Sequence, residues 1–279
     1  MNYQPLFVLR IYPHFFKISR PTPRIIGLMH SILIKAETPR KSIGAYTTMT
    51  AMSAGWMATM PVETRTGRWY NFSSRFLDAD GAKREVEELL GCRVEIEGTL
   101  CYASGYFKKP FVKNVIPIGL ASLFFEPMAA TTSRAIGAAL LSIKSGLSIL
   151  SRRDEYSRAI YNQSMEKSAQ VSMSMIYSRY LAGGLGGNFW RTFSIEKAPS
   201  PLKKWIEDAS KGRMRKSDYD TLDWITIPSR TILSHLGMSG VGRQAIQRFY
   251  NAELRDQPVA EAIASCSSEI GRLSNKDLS

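Results

Sequence analysis

Cysteine is scarce in this chain. Cys92, Cys101 and Cys266 are the three in 279 residues, and none stands in a Cys-x-x-Cys pair. That spacing argues against a thiolate zinc site and against a disulfide framework, and it fits free, partly buried thiols in a reducing compartment. Histidine is equally sparse, and His14, His30 and His235 are too far apart in sequence to suggest a metal cluster. Acidic residues are few, 24 against 37 lysines and arginines, for a formal net charge of +13. A basic excess of this size favours nucleic acid or an anionic membrane surface as partner. Long uncharged apolar runs are also wanting. The uncharged stretch 42–62 is broken by Gly44, Gly55 and Pro61 and reads as two strands, while 116–150 is interrupted by Glu126, Arg134 and Lys144. The second suits a buried or membrane-surface helix better than a membrane span. Ser-His-Asp and Cys-His arrangements, HExxH and a Walker loop are missing too, so catalysis has no positive support and no cofactor is expected.

What is present is organised around residues 67–119. The segment RWYNFSSRF spaces aromatics by polar residues, as a half-buried strand requires. Asp78 or Asp80 can cap a following helix in which Ala82, Val86, Leu89 and Leu90 share one face, and Gly91 can end it. Val94, Ile96 and Gly98 then alternate with Arg93, Glu95 and Glu97, which predicts a strand with its acids towards solvent. A Ser104-Gly105 turn leads to Phe111, Val112, Val115 and Ile116, read as one more apolar strand.

Trp69 and Phe76 ahead of the helix, and Val94, Ile96, Gly98 and Leu100 after it, resemble the bacterial-type single-stranded-DNA-binding protein family. HSILIKA matches that family's first strand and AGWMATMPVETRTGRWYNF its long hairpin. The chain departs from the family in its end, Asn-Lys-Asp-Leu-Ser instead of an acidic, Phe-ended tail, and in its long second half. The resemblance implies an OB-fold that binds single strands by stacking bases on aromatic rings and pairing phosphates with cations.

The expected fold is therefore α+β: an N-terminal β-rich OB-like barrel followed by a mostly α-helical C-terminal domain. Its divisions are a basic arm (1–41), the β-rich domain (42–119), a helical segment (120–182), a Gly/Pro-containing linker (183–201) and a helical C-terminal domain (202–279). The arm is rich in Arg and Lys with one acid, Glu37, and reads as a disordered end, an organelle-targeting segment or a nucleic-acid arm. The candidate nucleic-acid-binding residues are Arg65, Arg68, Trp69, Tyr70, Arg75, Tyr106, Phe107, Lys108, Lys109 and Lys113 in the β-rich part. Arg213, Arg215, Lys216 and Arg243 join them in the second half.

In the helical segment, Tyr156, Ile160, Tyr161, Met165, Ala169, Met173, Ile176 and Tyr180 recur at three- and four-residue steps and predict a stripe needing a partner surface. Gly183, Gly184, Gly186 and Gly187 lack the lysine of a phosphate loop and read as a hinge. Residues 221–250 read as a helical hairpin. The functional expectation is a single-stranded nucleic-acid-binding protein with a helical assembly domain, possessing a surface for self-association. The alternative is a basic structural protein of viral matrix or secretion-apparatus type, bound to membrane or nucleoprotein.

Overall fold

The structure is a computed structural model. It describes residues 28–37, 46–113, 115–128, 131–150, 154–182 and 187–211. The expected features at Arg213, Arg215, Lys216 and Arg243, at the 221–250 hairpin, at most of the basic arm and at Gly183–Gly186 lie outside the described residues.

Among the described residues there are seven strands: β1 (Leu28–Glu37), β2 (Thr48–Met52), β3 (Gly55–Val62), β4 (Arg65–Ser73), β5 (Ile96–Ala103), β6 (Gly105–Tyr106) and β7 (Leu123–Phe124). The described residues also form four α-helices: α1 (Ala79–Leu90), α2 (Thr131–Leu150), α3 (Glu155–Ala182) and α4 (Ser200–Ser210). The first five strands form one antiparallel sheet in the order β2-β3-β4-β1-β5. Its two edges, β2 and β5, are not paired with each other. This corrects the OB-barrel expectation: the sheet is open, and a barrel requires its edges to meet.

An open sheet exposes two faces, and both are covered here. On one, Ile32, Ile34, Met57, Tyr70 and Phe72 pack with Ala82 and Val86 of α1. That helix forms as its sequence dictates. The Asp78 carboxylate accepts the Gly81 N–H at 2.6 Å, and Gly91 closes the helix with φ 68°. Ala82 and Val86 are fully buried, but Leu89 turns outward and is 48% exposed. On the opposite face, Trp56 and Ala58 of β3 share a core with Leu123, Phe125, Met128, Ala135, Ala169, Ile176, Tyr180, Phe189 and Trp190. The α3 stripe is realised in part. Tyr161, Met165, Ala169, Ile176 and Tyr180 are buried, whereas Tyr156 and Ile160 are not.

The described residues of the apolar strand expected from Phe111 to Ile116 form no strand. The segment keeps one isolated bridge, Val112 to Val115, and the partner of β6 is β7. The reason is local satisfaction of the backbone. Asn162 of α3 accepts the Phe111 N–H at 2.7 Å and donates to its carbonyl at 3.2 Å, and Pro110 and Pro117 supply no donors.

Candidate functional site

The most chemically distinctive place is the junction between the sheet and α3. Alternation along β3 points Trp56 and Ala58 towards α3, and alternation along β4 does the same for Trp69 and Asn71. Glu126, in the connection between β7 and α2, reaches into this layer and is wholly buried. The Tyr180 hydroxyl donates to Glu126 Oε2 at 2.6 Å and accepts from Trp56 Nε1 at 3.0 Å. Thr131 at the start of α2 donates to the Glu126 carbonyl at 3.3 Å. Glu126 Oε1 has no hydrogen-bond partner among the described residues.

Burial dominates the titration of this carboxyl and pushes it up to about 7, against an ordinary value of 4.5. The Tyr180 and Trp56 hydrogen bonds and the nearby Arg179 charge offset the burial only in part. Tyr180 is raised too, by burial first and then by the Glu126 charge. Aromatic rings wall the pair. Phe193 stacks on Tyr180 at 4.5 Å, and Trp190 and Phe189 lie at 5.7 and 5.8 Å. The Trp190 indole donates to the Met52 carbonyl at 2.8 Å, tying this wall to β2.

A second buried polar group sits on the same face. Asn71 Oδ1 accepts from Ser31 Oγ and, at 3.1 Å, from the Tyr102 hydroxyl, while Asn71 Nδ2 has no partner among the described residues. The Tyr102 hydroxyl lies close enough to Glu126 for the carboxylate charge to raise it, although burial is the larger cause. Across the sheet, the Tyr70 hydroxyl donates to Glu85 Oε2 at 2.7 Å, and Glu85 Oε1 accepts the Ser53 N–H at 2.7 Å.

Glu126 has a measurable consequence. The folded protein keeps a proton on it where the unfolded chain has released one. Stability therefore falls as pH rises from about 4.5 to about 7, and the loss is complete above that. At one pKa unit per 1.4 kcal/mol, the effect is on the order of 3 kcal/mol. Urea unfolding at pH 5 and pH 8 tests it. Glu126→Gln should narrow the difference between the two pH values by a comparable amount. An unchanged difference would show that the carboxyl is ionised at little cost.

The residues expected to bind single strands do not assemble into a stacking groove. Tyr70 and Tyr106 are buried and Trp69 is half-buried against the sheet–helix core, so these rings serve packing. Phe107 is half-buried, and its N–H donates to the Ser122 carbonyl at 3.2 Å. Lys108, Lys109 and Lys113 are exposed on the irregular 107–113 segment. Arg65 is exposed at the start of β4, a nine-residue strand on the order of 30 Å long, and Arg75 is exposed in the turn beyond its other end, with the half-buried Arg68 between them. Arg75 lies over the Phe76 ring at 5.5 Å. Sequence reasoning missed Glu126, noticing it only as an interruption of an apolar run. The available signal was that same fact: a lone acid among apolar residues is either exposed or held by buried partners.

Comparison with known proteins places the chain elsewhere than nucleic-acid binding. The family model for tryptophan halogenase matches residues 28–232. The 7-chloro-L-tryptophan 6-halogenase KtzR of Kutzneria sp. (strain 744) is 24% identical over 180 residues, which is 63% of this chain and 35% of that protein. Among solved structures, a tryptophan halogenase from Shewanella frigidimarina matches 86% of this chain and 50% of its own, with TM-score 0.68 and 17% identity. Xcc4156, a flavin-dependent halogenase from Xanthomonas campestris, matches 89% and 53%, with TM-score 0.65 and 21% identity. The chain thus spans about half the length of these structures. These matches overturn the resemblance to single-stranded-DNA-binding proteins and, with it, the nucleic-acid and assembly-protein readings.

Flavin is the cofactor such names imply, and a dinucleotide's pyrophosphate asks for a free helix N-terminus after a strand, or a nest of N–H groups. The described sheet and the starts of α1, α3 and α4 do not fit it. The five-stranded sheet is antiparallel throughout, with no strand-helix-parallel-strand unit. The N-terminus of α1 is occupied by the Asp78 carboxylate and that of α3 by Asp154, which accepts the Ser157 N–H at 2.7 Å. Helix α4 opens with Ser200-Pro201, where proline withholds a donor.

Proposed function

The chain belongs to the tryptophan halogenase family, and on that premise we propose that its described residues form the substrate-side scaffold of an aromatic halogenase, acting on an electron-rich, indole-type ring. The observation that carries this reading is the family match across residues 28–232, which includes the whole sheet and the helices packed on it. The misfit of the sheet and of the starts of α1, α3 and α4 to a pyrophosphate assigns the holding of flavin to residues outside these elements.

The described residues contribute rigidity at the sheet–helix junction. Tyr180 joins Trp56 of β3 to Glu126 ahead of α2, so three separate parts of the chain meet on one hydroxyl. Glu126 is a positioning residue in this scheme. A carboxyl with no exposure does not meet a substrate directly, and its chemistry is to hold one proton near neutrality while fixing Tyr180.

Two measurements test the proposal. Titrating the full chain with tryptophan and simple indoles, followed by calorimetry, should give saturable binding without flavin. Supplying a flavin reductase, flavin and chloride or bromide with a panel of indoles should yield a product with the halogen isotope pattern in mass spectrometry. Flat isotherms for every electron-rich arene, together with no halogenated product, would remove the substrate-side assignment.

A further inference from the structure

The ladder between β1 and β5 sets His30 directly opposite Cys101, and the ladder between β1 and β4 sets the same histidine opposite Phe72. The His30 ring stacks on Phe72 with centroids 5.6 Å apart and planes 26° apart. Phe72 is buried and fixed in the core beneath α1. Pairing on one side and stacking on the other aim the imidazole along the sheet, and its Nε2 lies 3.8 Å from Cys101 Sγ. Strand β5 is an edge of the sheet, and Cys101 is exposed and free of any disulfide. An exposed thiol on an open edge, with an imidazole held against it by two neighbouring strands, has both a proton acceptor and access to small reagents.

We propose that Cys101 and His30 form a thiol–imidazole pair that makes Cys101 a site of reversible modification by low-molecular-weight disulfides. The imidazole accepts the thiol proton, and the thiolate is the nucleophile. The Cys101 sulfur attacks one sulfur of the disulfide. One S–S bond forms, one breaks, and the departing thiolate takes the proton back from His30, so there is no net redox change. The inference rests on strand register and is independent of the halogenase reading.

Cys92 provides an internal control, because it is also exposed and free but sits in the connection between α1 and β5 rather than in register with His30. The reduced full chain is treated with oxidised glutathione, sampled over time, and mapped by peptide mass spectrometry. Cys101 should gain the glutathione adduct several-fold faster than Cys92. His30→Gln should abolish that advantage while leaving the Cys92 rate unchanged, and Cys101→Ser should remove the fast adduct altogether. Should His30→Gln fail to fold, urea decides on the wild-type chain: unfolding must erase the advantage of Cys101. Equal rates in the folded wild type, an advantage that survives His30→Gln, or one that survives urea would each overturn the proposal.

Discussion

Gly55→Ala is expected to be the most damaging single-methyl change in the described residues, lowering stability by about 4 kcal/mol or more. A Cβ at that position would sit 1.9 Å from the Asn71 carbonyl oxygen, 2.9 Å from the Asn71 carbonyl carbon and 2.9 Å from the Phe72 Cα. All three obstacles are backbone atoms of β4, the strand to which β3 is paired, with Gly55 opposite Phe72. No rotamer change relieves such a clash, so the two strands must separate. Separation moves Trp56 away from Tyr180 and opens the β3–β4 ladder. Gly67→Ala is the control. Its Cβ would meet only the Met60 carbonyl oxygen, at an ordinary 3.8 Å, and a neutral or slightly favourable effect is expected. Urea midpoints of the two variants, measured side by side, check this. Equal midpoints would mean that β3 and β4 do not approach as closely as described.

Tyr180→Ala should cost about 3–5 kcal/mol, the range for removing a large buried ring. The loss has two parts that Tyr180→Phe separates. The ring contacts of Phe189, Trp190 and Phe193 would persist in the phenylalanine variant, whereas the hydroxyl bonds to Glu126 and from Trp56 would not. Each buried group left without its partner costs about 1–3 kcal/mol. Tyr180→Phe also removes a hydrogen bond that lowers the Glu126 titration, so the pH at which stability is lost should move upward from its wild-type value near 7. Thermal unfolding across pH 5 to 9 reads both effects. If Tyr180→Phe matched wild type at every pH, the hydroxyl bridge would carry no weight.

Much of the local structure was legible in the sequence because it depends on short-range periodicity and capping. The α1 helix with Asp78 at one end and Gly91 at the other, the strand through Trp69 and Phe72, the alternating strand ending at Ala103, and the long α3 helix all follow from neighbours a few residues apart. Their assembly did not follow from such signals. Aromatic residues at alternate positions are required equally by a nucleic-acid platform and by a sheet covered on both faces. Whether Tyr70 and Tyr106 meet bases or α1 and Phe125 is decided by what packs over them. The charge of +13 encouraged the wrong choice, because net charge governs long-range attraction and solubility and does not specify a fold.

The sequence by itself determined α1 with both its ends, the strands on either side of it and the long α3 helix, because each follows from neighbours a few residues apart. Only the tertiary structure decided that the sheet stays open, that β6 pairs with β7, and that Glu126 is a buried acid. Glu126 meets Tyr180 across 54 residues, and Tyr180 meets Trp56 across 124. At such separations no local propensity acts. The contacts exist because burying both faces of an open sheet leaves polar groups that must satisfy one another away from water.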